Sequence, residues 1–150
     1  MVVRQWEATL ETILIVDDEA SVLAVVEEML KLKGYRILTA PNAEEAMRVS
    51  TNYVGPIHLL LTDVVMPGPS GRELARRLRI QRPEMKVLYM TGFALVTGQE
   101  QFSQASGDEP DAPVILKPFT SERLTEKVRE VLATKPASPF DRRPDPWRNV

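Results

Sequence analysis

The chain of 150 residues carries 43% hydrophobic and 27% charged residues, which fits one globular domain and leaves little room for a second. Lys plus Arg number 19 against 21 Asp plus Glu, a net charge of -2 that lacks the basic excess needed to bind nucleic acid or anionic membranes. With no cysteine, disulfides, thiolate nucleophiles and cysteine metal sites are excluded; no apolar run approaches the roughly 20 residues of a membrane span, and a cytoplasmic setting is expected.

Residues 1–10 read as a linker or disordered lead-in, 11–134 as the folded domain and 135–150 as a Pro-rich, disordered tail. Thr12 to Val16 is a β-branched apolar run that stops at Asp17-Asp18-Glu19, the pattern of a strand buried on both faces. From Ala20 to Lys33 the apolar residues Val22, Val25, Val26, Met29 and Leu30 predict a helix with one core face, ended by Gly34. On periodicity alone Leu23 of that helix is about as able to face inward as outward.

Arg36 to Ala40 reads as a second strand, and Asn42 with Glu45 as a capping-box start to a helix running to about Tyr53. His58 to Thr62 is a third strand ending at Asp63, followed by a turn-rich loop with Pro67, Gly68, Pro69 and Gly71, then a helix with Leu74 and Leu78 inward. Lys86 to Met90 is a fourth strand reaching Thr91, and Val114 to Leu116 a fifth reaching Lys117-Pro118. A short, mobile helix is expected in Ala94 to Ala105 and an irregular loop in Ser106 to Pro113; a last helix follows Thr120, with Leu124, Val128, Val131 and Leu132 on one face. Strands alternating with amphipathic helices define an α/β domain with a parallel sheet covered on both sides.

In such sheets ligands bind beyond the carboxyl ends of the strands. Asp17 and Asp18 follow the first strand, Asp63 the third, Thr91 the fourth and Lys117 the fifth, so all five are expected to converge. Any one of them alone would be an ordinary turn former, cap or solvated surface group; their order at four strand ends sets them apart. Three adjacent carboxylates repel one another, and Lys117 is insufficient to balance them. Oxygen ligands without His or Cys suit Mg²⁺, with Mn²⁺ as the alternative. A divalent metal, an ammonium and a hydroxyl around a carboxylate can cradle a phosphoryl group, with Asp63 as its nucleophilic acceptor. His58 reads as a structural or surface residue, and Trp6 and Trp147 as incidental or partner contacts.

Ile15-Val16-Asp17-Asp18-Glu19, Leu61-Thr62-Asp63-Val64-Val65-Met66-Pro67, Met90-Thr91-Gly92 and Leu116-Lys117-Pro118-Phe119 resemble the motifs of the response-regulator receiver domain, in order, over about Glu11 to Ala133. The loop at Met66-Pro67-Gly68 and the stretch Tyr89 to Phe93 look most like receivers of hybrid sensor histidine kinases. The resemblance implies a flavodoxin-like sheet of five strands in order 2-1-3-4-5. It implies that Asp63 takes a phosphoryl group from the phosphohistidine of a histidine kinase or phosphotransfer protein. Asp17, Asp18, Asp63 and the Val65 carbonyl would hold Mg²⁺, Thr91 and Lys117 would bind phosphoryl oxygens, and the Lys117-Pro118 bond would be cis. Phosphorylation would then switch a contact surface for an unknown downstream protein, without nucleic acid or membrane insertion.

The sequence departs from the family pattern at three places. Val114 stands where receivers commonly carry an aromatic switch residue, and the stretch from Thr91 to Lys117 is long. Apolar Val65 and Phe93 flank the expected path of the hydrolytic water, which implies slow loss of phosphate. Two alternatives compete: a degenerate receiver acting as a phosphorylation-independent interaction module, and a Mg-dependent phosphatase of the haloacid dehalogenase type. The second needs an acid two residues after Asp63, where Val65 stands. A nucleotide-binding Rossmann domain is disfavoured by the lack of G-x-G-x-x-G.

Overall fold

The computed structural model describes residues 10–92 and 112–134. The apolar runs form strands β1 (Thr12–Val16), β2 (Arg36–Ala40), β3 (Leu59–Asp63), β4 (Lys86–Thr91) and β5 (Val114–Leu116). The periodic segments form helices α1 (Ala20–Lys31), α2 (Ala43–Asn52), α3 (Gly71–Gln81) and α4 (Ser121–Ala133). The short helix expected in Ala94 to Ala105, most of the loop after it, the tail and all of the lead-in but Leu10 lie outside the described residues.

All five strands are parallel, in the order β2-β1-β3-β4-β5. Each central strand alternates its side chains between two apolar layers, which is why it reads as a continuous hydrophobic run. Leu14, Val16, Leu60, Val87 and Tyr89 pack with Ala43 and Ala46 of α2 and Leu74, Ala75 and Leu78 of α3. Ile13, Ile15, Leu59, Leu61, Leu88 and Met90 pack with Val26 and Leu30 of α1 and Leu124, Val128 and Val131 of α4. Burying one such side chain contributes about 1.5–3 kcal/mol, so both layers are needed to offset the entropy of ordering the chain.

The α1 core stripe is centred on Val26 and Leu30, which corrects the expected inward Val25 and resolves the orientation of Leu23 that the sequence left open. Leu23, three residues before Val26 and seven before Leu30, packs against the core, whereas Val25 is 53% exposed. The helix ends at Lys31, and Gly34 takes φ +94° in the turn into β2. At the start of α2, Asn42 Oδ1 accepts the Glu45 N–H at 2.8 Å. The Glu45 carboxylate pairs with Arg48, so only half of the capping box forms.

The third strand begins one residue later than expected. His58 lies before it and accepts the Thr12 N–H on Nδ1 at 2.9 Å, fixing the edge of β1 at the end of the sheet remote from the acidic residues. Arg82, just after α3, donates to Ser50 Oγ and to the carbonyls of Ser50, Tyr53 and Gly55, which ties the end of α2 to α3. Among the described residues no helix is long and apolar enough to cross a membrane.

Candidate functional site

Strand register, more than any single loop, assembles the site. Val16 pairs with Thr62, which sets Asp17 level with Asp63; Asp63 pairs with Met90 and Thr91 with Leu116, each parallel. The Asp17 N–H continues the ladder to the Ala40 carbonyl, and the Lys117 N–H donates to the Thr91 carbonyl at 2.8 Å. Asp63 and Thr91 are therefore the last residues of β3 and β4 rather than the first residues beyond them.

Asp17 is fully buried, and both of its oxygens are engaged. Oδ1 accepts the Glu19 N–H at 2.9 Å, and Oδ2 lies 2.7 Å from the Lys117 ammonium. That ammonium also reaches Asp63 Oδ2 at 3.3 Å. One carboxylate oxygen from each of Asp17, Asp18 and Asp63 falls within 4.8 Å of the others, so the structure brings the acidic trio together. Asp18 is exposed, while the Asp63 side chain retains a small opening to solvent.

Burial pushes the Asp63 carboxyl up, the Lys117 charge pulls it down and the Asp17 charge pushes it up again; with hydrogen bonds from Lys117 and the Val65 N–H, the balance lies above the ordinary carboxylate range. For Lys117, burial acts downward, but the hydrogen bond to Asp17 and the charges of Asp63 and Asp17 outweigh it and hold the ammonium above its ordinary value. The Lys117 shift reflects one cation shared between two carboxylates, whereas the Asp63 shift is chiefly a matter of burial.

The Thr91 hydroxyl is buried without a hydrogen-bond partner among the described residues. An orphaned buried hydroxyl is costly, and it becomes understandable if a ligand satisfies it. The oxygens of Asp17, Asp18 and Asp63 fit a hard divalent ion: they are close, uncompensated in charge and free of nitrogen or sulfur ligands. The Lys117–Pro118 peptide is cis. Val114 is half-buried on β5 and pairs in register with Tyr89 of β4, a fully buried aromatic residue over which the Arg72 guanidinium stands at 5.8 Å. Phe93 lies outside the described residues.

Sequence reasoning missed one contact. Gly71, expected in the loop, opens α3, and a Cβ there would collide with the Asp63 carbonyl oxygen and stand 3.1 Å from Thr62 Oγ1. Glycine thus lets α3 start directly against the backbone of Asp63. The Pro-Gly-Pro-Ser-Gly composition announces a turn, and it hides the close approach.

A doubly wound parallel sheet with this acidic trio, threonine and lysine gathered at its carboxyl edge defines a flavodoxin-like protein. The profile of the response regulator receiver domain matches residues 13–129, and the chain belongs to that family. The response regulator receiver protein CpdR of Brucella abortus (strain 2308) is 32% identical over 124 residues, which cover 82% of this chain and 98% of that protein. The sensor kinase CckA of the same organism is 29% identical over 121 residues, 81% of this chain but 12% of the kinase. A crystal structure of a CheY-like receiver protein from Methanospirillum hungatei JF-1 superposes with a TM-score of 0.68 at 34% identity, over 83% of this chain and 94% of that one.

Proposed function

We propose that Asp63 accepts a phosphoryl group from the phosphohistidine of a histidine kinase or phosphotransfer protein, and that the phosphorylated domain switches a protein-contact surface. The observation that carries this reading is the three-carboxylate cluster balanced by one ammonium, beside a buried hydroxyl that lacks a partner. Asp63 is the acceptor because, of the two carboxylates bonded to Lys117, its side chain is the one that opens to solvent.

The carboxylates of Asp17, Asp18 and Asp63, with the Val65 carbonyl, would hold Mg²⁺, with Mn²⁺ as the alternative. When bound, the metal neutralises charge on the phosphoryl oxygens. An Asp63 oxygen attacks phosphorus while the donor imidazole departs, and the chain's own groups position that transfer. Lys117, already between Asp17 and Asp63, would meet one phosphoryl oxygen with its ammonium. Thr91 donates its free hydroxyl to another. In moving to do so, Thr91 and Lys117 shift the ends of β4 and β5, whose neighbouring surface carries the output. The chain thus catalyses only its own phosphorylation and loss of phosphate. The phosphatase alternative lacks an acid, since Val65 is exposed and apolar two residues after Asp63.

Intact mass after incubation with Mg²⁺ and acetyl phosphate tests this. The reading expects a gain of one phosphoryl group that disappears in Asp63→Asn and in the presence of EDTA. A parent protein that binds Mg²⁺ yet gains no mass would favour the phosphorylation-independent interaction module.

A further inference from the structure

We propose that the cleft beside Asp18 takes a basic side chain of the phosphodonor protein and so helps to select the donor. This deepens the phosphoryl-acceptor reading and rests on it. The cleft has a volume of about 390 Å³ and lies between the β1–α1, β2–α2 and β3–α3 loops. Asp18 belongs both to its wall and to the acidic trio, so the opening begins at a carboxylate within 4.8 Å of that of Asp63. A protein that delivers a phosphoryl group to Asp63 must lie over it.

The walls are preformed. Pro41, Pro67 and Pro69 have φ fixed by their rings, and Gly68 takes φ +80° in the loop between the latter two. Asn42 cannot swing into the space, because its side-chain oxygen is held by the Glu45 N–H. A cleft that needs no ordering imposes little entropic cost on what enters it.

The charge of the walls decides what that is. Asp18 and Glu44 are exposed and, like several other surface carboxylates, have no ion-pair partner among the described residues, so no neighbouring Lys or Arg already neutralises them. With Asp18 among the residues that would hold the metal, Glu44 is the wall carboxylate that remains for a partner. An arginine or lysine beside the donor phosphohistidine can lay its methylenes along the prolines and its charge against Glu44. Anionic side chains are repelled there, which gives the cleft selectivity.

The test is an amide NMR titration of the full chain in saturating Mg²⁺ with Nα-acetyl-arginine amide, beside the uncharged Nα-acetyl-citrulline amide. The proposal expects saturable shifts confined to Asn42, Glu44, Gly68 and their neighbours, produced by the arginine compound alone and weakened several-fold in Glu44→Gln. Equal shifts from both compounds, shifts spread over other surfaces, an unchanged Glu44→Gln response or unmoved amides would each overturn it. Labelling by acetyl phosphate separates the two readings, because Glu44→Gln is expected to label like the parent. A parent that labels but fails the titration removes the cleft proposal alone. A parent that does not label removes the acceptor reading on which the donor assignment rests.

Discussion

The ammonium of Lys117 lies 2.7 Å from Oδ2 of Asp17, a carboxylate with no exposed surface, across a sequence separation of 100 residues. Removing one partner of a buried pair leaves the other uncompensated, at a cost of about 3–5 kcal/mol when both are fully buried. Lys117 retains 18% side-chain exposure, and we expect Lys117→Met to cost about 2 kcal/mol in metal-free protein. Mg²⁺ should recover part of that loss by meeting the Asp17 charge. Urea unfolding with and without Mg²⁺ checks it; an equal cost in both conditions contradicts the shared role of the cation.

Asp63 provides a pH prediction. Its carboxyl is held above the ordinary value of 3.8, chiefly by burial, so the folded metal-free protein binds its proton more tightly than the unfolded chain does. Stability therefore falls as pH rises from the ordinary value through the raised one, and at neutral pH the ionised group destabilises the fold. Asp63→Asn is expected to raise the unfolding temperature at about pH 7, with the gain fading as pH falls below the ordinary carboxylate range. The raised Lys117 group acts in the same direction at high pH: its contribution is complete below 10.5 and is lost as pH climbs through its higher folded value. Thermal unfolding in chelator over a pH series reads both, and a gain from Asp63→Asn that persists undiminished in acid would refute the assignment.

At Gly71 a methyl group has nowhere to go, because the Asp63 carbonyl occupies its place. Gly71→Ala should destabilise by about 1–3 kcal/mol through overpacking. It should also slow labelling by acetyl phosphate about tenfold, since β3 and α3 must part where Asp63 is held. Gly34→Ala is the control: its φ of +94° makes alanine strained, but no atom lies within 4 Å and the site is distant. It should lower stability by about 1 kcal/mol and leave labelling unchanged.

Val65 is 61% exposed beside Asp63 and offers no side-chain atom that can orient water. Val65→Asn should speed loss of the phosphoryl group roughly tenfold, about 1.4 kcal/mol of barrier, while moving stability by less than about 0.5 kcal/mol. The half-life of the labelled protein after donor removal measures this. A variant that loses phosphate no faster than the parent excludes Val65 as the cause of slow turnover.

The central strands β1, β3 and β4 were legible because each is an apolar run buried on both faces that stops at Asp17, Asp63 or Thr91. The five site residues could be named for the same reason: Asp17, Asp18, Asp63, Thr91 and Lys117 stand at strand ends, and parallel pairing carries them to one level. What was not legible depends on register and docking. Whether His58 or Leu59 opens β3 depends on a contact across the sheet, the hydrogen bond that the His58 imidazole accepts from the Thr12 backbone N–H. Whether Leu23 or Val25 faces inward depends on where α1 rests over the sheet, and the stripe through Val26 and Leu30 selects Leu23. The Gly71 approach to Asp63 and the cleft beside Asp18 arise between segments distant in sequence, where local composition shows only turns.

The central claim is that Asp63, and no other carboxylate of the cluster, carries the phosphoryl group. Borohydride reduces an acyl phosphate of aspartate to homoserine, so reduction after acetyl phosphate labelling, followed by peptide mass spectrometry, locates the modified residue. The account predicts homoserine at position 63 alone, dependent on Mg²⁺. Homoserine at position 17 or 18, or phosphorylated protein in which position 63 remains aspartate, would contradict it.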